Sequence, residues 1–202
     1  MSRQRQVPMW GVPDEAFIRG RVPMTKAEIR GIIMRKLRLR EESILVDVGA
    51  GTGSVTIEAA MHVSQGSVYA IEYKEEAVEL IKKNIEKFQL ENIQIMTGRA
   101  KEQLMEIQTF DRMFIGGSEG ELQWMIRYAA ENLPSKGRIV MTAVTLETAY
   151  EGLQFLKQNE FTEIETISVS IAKGRVVGNR TLMEAENPIT VISAERGEQH
   201  ER

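Results

Sequence analysis

Short apolar runs alternate with amphipathic helical segments from residue 43 onward, and no other feature limits the fold as strongly. Runs such as "ILVDV" (44–48) and "SVYAIE" (67–72) have the length and the β-branched content of buried strands. The segments between them carry apolar residues at helical spacing, for example Ala77, Ile81, Ile85 and Phe88. Five such β-α units predict an α/β fold with a doubly wound, mostly parallel sheet.

Two long apolar runs end this pattern without a helix between them. They are "EIETISVSI" (163–171) and "PITVISA" (188–194), and the polar segment 172–187 joins them. Two successive strands without a crossover helix favour an antiparallel pair. The sequence therefore predicts a seven-stranded sheet whose last strand is antiparallel.

The two ends of the chain are expected to differ from this core. Residues 1–23 contain three prolines and should be irregular, while residues 196–202 form a polar tail. A helix should begin at Thr25, because "TKAE" places Glu28 three residues after a threonine, as in a capping box. No internal repeat or linker is visible, so we expect residues 1–202 to form a single domain.

The first predicted strand ends in a glycine-rich turn with the sequence Gly49-Ala50-Gly51-Thr52-Gly53. A dinucleotide fingerprint would need glycine at position 54, where the chain has Ser54, and the lysine of a P-loop is absent. The G-x-G-x-G spacing instead suits a ligand without a pyrophosphate, whose small polar end lies against bare backbone. Asp47, on the strand itself, either orients the loop or meets an ammonium group through water.

Two further features at neighbouring strand ends indicate which ligand this is. Glu72 ends the second strand, where a carboxylate can accept both hydroxyls of a ribose. "TGRA" (97–100) ends the third strand, where a base ring would lie against the backbone of Ala100. Together these features describe an adenosine with a short amino-acid tail, which is S-adenosylmethionine (SAM). They predict a SAM-dependent methyltransferase; the alternative is an α/β protein whose glycines only make tight turns.

Arg99 departs from the usual pattern of SAM enzymes, which often carry an aspartate there for the adenine amino group. Arginine has no acceptor atom and cannot take that role. A surface ion pair or a contact with a substrate carboxylate remains open for this side chain.

Composition excludes several other kinds of site. The chain has no cysteine, which excludes disulfides, thiolate metal sites and cysteine nucleophiles. Two histidines, His62 and His200, are too few to favour a histidine metal site or a Ser-His-Asp triad, so we expect no protein-bound metal. No signal peptide and no apolar run of membrane-spanning length is visible, and we expect a cytoplasmic protein with no membrane contact.

The net charge of −3 conceals a basic N-terminal part. Residues 1–40 carry ten Lys/Arg against three Asp/Glu, which favours a polyanionic partner. The alternative is a solvated helix face formed by Arg35, Lys36, Arg38 and Arg40.

Several stretches resemble one methyltransferase family over about residues 9–195. They are "GVPDEAFIRGRVPMTKAEIR", "VDVGAGTGSVTIEAA", "IGGSEGELQWMI", "RIVMTAVTLET" and "IAKGRVVGNRTLMEAENPI". The family is that of the decarboxylating cobalt-precorrin-6B C(15)-methyltransferases of cobalamin (vitamin B12) biosynthesis, and the carboxy-terminal half of the precorrin-6Y methyltransferase is similar. The glycine motif is shared with many methyltransferases, whereas the N-terminal stretch and "GGSEGEL" are more discriminating.

The resemblance implies methylation at C-15 of a precorrin, a tetrapyrrole, coupled to loss of CO2 from the acetate side chain at C-12. It also implies the Rossmann-like SAM-dependent methyltransferase fold and a homotetramer, and it places SAM contacts on Thr25, the Gly49–Gly53 loop, Glu72 and Ala100. Thr25 can cap its helix and still contact the cofactor.

A polycarboxylated macrocycle needs cationic partners, and arginine binds carboxylates through its planar fork. The candidates lie before or in the first helix and in the polar segment 172–187; they are Arg19, Arg21, Lys26, Lys173, Arg175 and Arg180. Each of them taken singly also fits a solvated surface charge.

The second glycine loop, "IGGSEG" (115–120), follows the fourth strand, where the methyl acceptor should lie. We expect Gly116 and Gly117 to keep side chains out of the gap between donor and acceptor, with Ser118 as a substrate contact. Glu119 is a candidate acid/base, and Arg175 a second catalytic candidate. The favoured alternative is that Ser118 caps the next helix while Glu119 occupies its first turn.

Two other functions remain open from the sequence. One is a SAM methyltransferase that acts on tRNA or protein, although the Asn/Asp-Pro-Pro-Tyr motif common in exocyclic amine methylation is replaced by Gly-Gly-Ser-Glu. The other is a non-catalytic SAM-binding or assembly protein. With the resemblance, we expect the precorrin reaction and no nucleic-acid partner.

Overall fold

A seven-stranded sheet between two layers of helices forms the core of the protein. The computed structural model describes residues 11–198. The strands are β1 (Ile44–Val48), β2 (Ser67–Glu72), β3 (Ile93–Thr97), β4 (Arg112–Ile115), β5 (Arg138–Ala143), β6 (Phe161–Val169), β7 (Ala172–Val177), β8 (Arg180–Ala185) and β9 (Ile189–Arg196). The helices are α1 (Ala27–Leu37), α2 (Ser54–His62), α3 (Glu75–Phe88), α4 (Ala100–Leu104), α5 (Leu122–Asn132) and α6 (Leu146–Gln158), preceded by a short 3-10 turn, Asp14–Ala16.

The strand order confirms the doubly wound α/β fold. Strands pair in the order β3-β2-β1-β4-β5-β9-β6, and β1 to β5 are parallel. The last strand, β9, lies between β5 and β6 and is antiparallel to both, as predicted. Within residues 11–198 no helix is both long and apolar enough to cross a membrane.

Successive side chains of a strand point to opposite faces of the sheet, and apolar residues on both faces explain why helices cover both. In β1, Leu45 packs with α1 and α2 on one face, whereas Val46 and Val48 pack with α5 and α6 on the other. The core is therefore continuous through the sheet, and the carboxyl ends of β1 to β5 meet at one edge.

The polar segment between β6 and β9 forms a hairpin rather than a plain connection. Strands β7 and β8 pair with each other only, as a separate two-stranded sheet. Gly178, with φ of 62°, begins the two-residue turn that closes the Val177–Arg180 pair. A Gly-Asn turn between short strands is a hairpin signal that the sequence analysis did not use.

The predicted helix start at Thr25 is wrong by two residues. Helix α1 begins at Ala27 with Lys26 as its N-cap residue, and no side chain caps it. One of the two side chains that a capping box needs is engaged elsewhere, because the Glu28 carboxylate pairs with Lys173 at 3.1 Å. The Thr25 carbonyl accepts a hydrogen bond from Arg30.

Lys36 and Arg38, at the end of α1, lie at the edge of the sheet opposite its carboxyl ends. Lys36 pairs with Glu165 at 2.6 Å, and Arg38 lies 3.4 Å from both Glu163 and Glu195. These pairs support the surface interpretation for Lys36 and Arg38 rather than a polyanion site.

Arg30 is fully buried and ties the N-terminal segment to the helical layer. Its guanidinium bonds Asp14 Oδ1 at 2.8 Å and Glu58 Oε2 at 2.9 Å, and it donates to the carbonyls of Val12 and Thr25. One side chain thus fixes three points of the segment before α1. A second polar anchor, Asn84, bonds the backbone of Ile18 at 2.8 and 3.1 Å.

Replacing Arg30 should therefore destabilise the protein strongly. Arg30→Met leaves the buried carboxylates of Asp14 and Glu58 without a cationic partner, which costs about 3–5 kcal/mol in the free energy of unfolding. Urea denaturation at pH 7 measures the loss. Arg127→Met is the matched control, since Arg127 is 63% exposed in its pair with Glu131 and should cost about 0.5 kcal/mol or less. Equal small losses for both variants would contradict the anchoring role.

Candidate active site

A cleft of about 370 Å³ opens at the carboxyl ends of the parallel strands. The first glycine loop and the second form its floor, while Val22, Pro23 and Met24 line one wall. Segment 19–24 lies between the two anchors, Asn84 and Arg30, so the wall has a fixed position. Ligands of doubly wound folds bind at this edge.

The first glycine loop turns sharply because all three of its glycines adopt the left-handed backbone conformation. Gly49, Gly51 and Gly53 have φ of 73°, 58° and 78°. The amides of Gly49 and Ala50 both donate to the Ile71 carbonyl, at 3.0 and 3.1 Å. A side chain at these positions would be strained, which explains the G-x-G-x-G spacing. The result is a cradle of bare backbone open to the cleft.

Glu72 connects the ends of β1 and β2. Its Oε2 accepts from the Gly51 amide at 2.9 Å, and its Oε1 accepts from the Tyr73 and Lys74 amides, each at 2.9 Å. The carboxylate lines the cleft, and Oε2, which accepts one hydrogen bond, has a lone pair left for another donor. Glu72 therefore holds the loop in place, and the predicted ribose contact stays compatible with that role.

The two glycine loops touch through their backbones. The Gly116 amide donates to the Val48 carbonyl at 2.9 Å. A Cβ on Gly49 would lie 2.9 Å from the Gly117 nitrogen, too close for any side chain. A Cβ on Gly117 meets no atom within 4 Å. Gly49 is thus required by the contact between loops, whereas Gly117 leaves open space in the cleft.

Asp47 lies fully buried beneath the first loop. Its Oδ2 accepts from the Thr56 hydroxyl at 2.5 Å, but its Oδ1 has no partner among the described residues. Burial, together with the nearby Glu72 charge, raises the pKa of Asp47 from 3.8 to about 7. The Thr52 hydroxyl is also buried without a partner among residues 11–198. Thr52 lines the cleft, whereas Asp47 does not. A ligand end that carries donors, such as the ammonium group of SAM, can reach the Asp47 carboxyl through water.

Most of the predicted cofactor contacts lie together in this cleft. Its lining includes Thr25, Gly49, Ala50, Gly51, Thr52, Glu72 and Ala100. Gly53 is the exception, because it lies behind the loop as the N-cap residue of α2, against Ile81.

The predicted substrate contacts divide into two groups. Lys26, Gly117 and Ser118 line the cleft. Lys173 instead pairs with Glu28, and Arg175 pairs with Glu184 at 2.6 Å on the hairpin. Arg19, Arg21 and Arg180 are also exposed outside the cleft lining.

The favoured interpretation of Ser118 and Glu119 as helix-start residues is wrong. Helix α5 begins at Leu122 with no side-chain cap. Glu119 and Gly120 have φ of 47° and 86°, and the Glu121 amide donates to the Ser118 carbonyl at 2.8 Å, the pattern of a type I′ turn. Glu119 therefore lines the cleft in a conformation that non-glycine residues rarely adopt.

The sequence analysis missed several cleft residues. Tyr73, Lys74 and Gly98 directly follow predicted strand ends and could have been found from that position. The wall residues Val22 to Met24 have no local sequence pattern that predicts their place in the cleft. The Trp124 ring stacks on the Tyr128 ring, with their centroids 5.1 Å apart, so Trp124 is a packing residue.

Three cationic side chains line the cleft, and one of them, Lys74, lies over the Tyr73 ring with Nζ 5.3 Å from its centroid. Lys26 and Arg99 form no ion pair with any residue from 11 to 198. In the same part of the chain, no group of three or more His, Cys, Asp or Glu side chains could hold a metal ion.

Comparison with known proteins gives consistent matches. A family model described as the precorrin methyltransferase domain matches residues 15–196. The probable cobalt-precorrin-6B C(15)-methyltransferase (decarboxylating) of Pyrobaculum calidifontis is 44% identical over 91% of this chain and 95% of its own. Two crystal structures are similar. The precorrin-6y C5,15-methyltransferase of Geobacter metallireducens has a TM-score of 0.88 and 34% identity, covering 93% of this chain and 99% of that one. The precorrin 8W decarboxylase of Methanobacterium thermoautotrophicum has a TM-score of 0.86 and 36% identity, covering 91% of this chain and 98% of that one.

Burial of Asp47 should make stability fall as pH rises. The folded pKa lies above the unfolded value, so the folded state binds more protons between pH 4 and 7. Each pKa unit corresponds to about 1.4 kcal/mol, so the rise from 3.8 to about 7 removes roughly 4 kcal/mol by pH 8. Asp47→Asn should therefore be more stable than the wild type in urea at pH 8, with a smaller advantage at pH 5.

The exposed carboxylate of Glu106 provides the control for this measurement. Glu106→Gln should leave the pH dependence of the free energy of unfolding unchanged. A stability difference for Asp47→Asn that stays constant from pH 5 to 8 would show that Asp47 does not titrate in this range.

Proposed function

Because the chain belongs to the precorrin methyltransferase family, we propose that it methylates C-15 of a cobalt-precorrin or precorrin with SAM as methyl donor. The same reaction removes CO2 from the acetate side chain at C-12. We propose that residues 1–202 act as a single methyltransferase domain. The observation that carries the proposal is the cleft itself, where a left-handed glycine cradle and Glu72 adjoin a second glycine loop that leaves open space.

Positioning of the two reactants supplies much of the rate in this chemistry. When bound, SAM supplies an electrophilic methyl group on a sulfonium. The first glycine loop, Glu72 and Ala100 bind and orient the donor, with Asp47 toward its ammonium group. The second loop leaves space through Gly117, so that a broad acceptor can approach the floor of the cleft.

The acceptor carbon needs electrons, and departure of CO2 from the acetate can supply them to the conjugated ring. The protein therefore needs no strong base for the methyl transfer. Lys26 and Arg99 are placed in the cleft lining to hold substrate carboxylates.

Two catalytic candidates came from the sequence, and their positions differ. Glu119 lines the cleft and is the group best placed to move a proton to or from the acceptor. Its left-handed backbone fits a site where strain is retained for function. Arg175 is ion-paired on the hairpin, so we assign no step to it.

We also propose a homotetramer in the cytoplasm. Its support in the structure is the β7–β8 hairpin, whose strands have no other pairing partner. Val176, Leu182 and Met183 are exposed on this hairpin. Unpaired edges with apolar side chains are typical of surfaces that another chain covers. A single-chain mass in light scattering would contradict the assembly.

The reaction can be tested directly with the purified protein, methyl-13C-labelled SAM and cobalt-precorrin-6B. We expect CO2 and S-adenosylhomocysteine in equal amounts, with the label at C-15 in the NMR spectrum of the product. A bulk tRNA preparation is the second substrate tested. Methyl transfer to tRNA without CO2 from the tetrapyrrole would refute the proposal and favour the nucleic-acid alternative.

Gly117 tests the role of the second loop. A Cβ at this position enters open space without straining the backbone, so Gly117→Val should fold normally. It should lower kcat at least about tenfold, a loss of about 1.4 kcal/mol in transition-state stabilisation. Calorimetry should give a Kd for SAM within about twofold of the wild type, because the donor cradle is unchanged.

Gly31→Ala is the matched control, since its Cβ also meets nothing within 4 Å but lies on α1 outside the cleft lining. It should leave kcat unchanged and raise stability by up to about 1 kcal/mol. An equal loss of SAM affinity and turnover in Gly117→Val would count against the spacing role.

A further inference from the structure

Three apolar side chains beside the mouth of the cleft are unusually exposed. Val144, Leu146 and Tyr150 are 74%, 84% and 65% exposed, and we call this set the apolar shelf. Val144 also lines the cleft, so the shelf is continuous with it. Exposed apolar patches at the rim of a cleft commonly mark a binding surface.

The apolar shelf lies on rigid parts of the fold. Val144 follows β5, and Thr145 caps α6 by accepting a hydrogen bond from the Thr148 amide at 3.2 Å. Leu146 and Tyr150 are four residues apart on α6, which places them on one face. The buried residues of the same helix, Gly152 and Leu156, pack into the core. The two exposed side chains are therefore not needed to hold α6 on the sheet.

The size of the cleft indicates what the shelf meets. A volume of about 370 Å³ lies at the lower end for sites that hold one ligand of drug size. The methyl donor alone is a ligand of that size. A tetrapyrrole acceptor must then lie across the mouth, with one ring edge at Gly117 and most of its face outside the cleft.

The chemistry of the rim suits such an acceptor. The three shelf side chains are apolar, and the exposed Glu147 and Glu151 flank them on α6. The cations Lys26 and Arg99 line the cleft that the shelf borders. A macrocycle with an apolar face and carboxylates at its periphery matches this division.

We propose that the apolar shelf binds one face of the tetrapyrrole acceptor, with Leu146 and Tyr150 as positioning residues. The inference rests on the proposed function. The shelf holds the ring plane so that C-15 stays at the floor of the cleft, above Gly117. It takes no part in binding SAM.

The test compares Leu146→Ser and Tyr150→Ser with the wild type in tetrapyrrole binding and turnover. The Kd for cobalt-precorrin-6B, measured by absorbance change without SAM, should rise about tenfold in each variant. The KM for the tetrapyrrole should rise in parallel, while the Kd for SAM stays within about twofold. Tyr150→Phe, which keeps the flat apolar ring, should retain the wild-type Kd and separate stacking from any role of the hydroxyl.

Met105→Ser is the matched control, because Met105 is 62% exposed but lies after α4, outside the cleft lining. It should leave the Kd and the KM for the tetrapyrrole unchanged. An unchanged Kd for the tetrapyrrole in both shelf variants would overturn the inference. A loss of oligomer mass in light scattering, with the Kd unchanged, would assign the shelf to a second copy of the chain. Wild-type binding without turnover would refute the proposed function but leave the shelf supported by its Kd.

Discussion

The backbone contact between the two glycine loops is the constraint on which the site depends. Strands β1 and β4 are neighbours, so the turns after them must share one space. Gly49 fills that space without a side chain because any Cβ would meet the Gly117 backbone. In the proposed function, this contact joins the cradle for the methyl donor to the part of the cleft that receives the acceptor. Glu72 stabilises this arrangement by accepting hydrogen bonds from three backbone amides at the ends of β1 and β2.

The remaining wall depends on a buried charge. Arg30 fixes Val12, Asp14 and Thr25, and this keeps segment 19–24 against the first loop. Pro23 and Val22 lie close to Gly51 as a result. Fold stability and the shape of the cleft are thus coupled through one side chain, whereas the buried carboxyl of Asp47 opposes stability at neutral pH and is retained beside the cofactor cradle.

Sequence patterns correctly predicted the structural features that depend on residues close together in the chain. Apolar periodicity was sufficient for the helices and for the seven strands of the main sheet, including the antiparallel β9, but not for β7 and β8. The left-handed backbone of three glycines explains why the G-x-G-x-G loop could be recognised. Non-local contacts account for the errors. The capping box at Thr25 failed because Lys173 engages the Glu28 carboxylate. The buried Arg30 was not predicted, because a charged residue is not expected in a core. The left-handed Glu119 carries no sequence signal, whereas the Gly178 turn did and was not used.

A crystal structure with S-adenosylhomocysteine and a tetrapyrrole bound together tests the central claim most directly, namely that the two glycine loops separate donor from acceptor. The account predicts adenosine toward Glu72, the sulfur over the contact between Gly49 and Gly117, and the macrocycle on the Gly117 side with its face toward Val144. A macrocycle bound away from Gly117, or a nucleoside placed at the second loop, would contradict it.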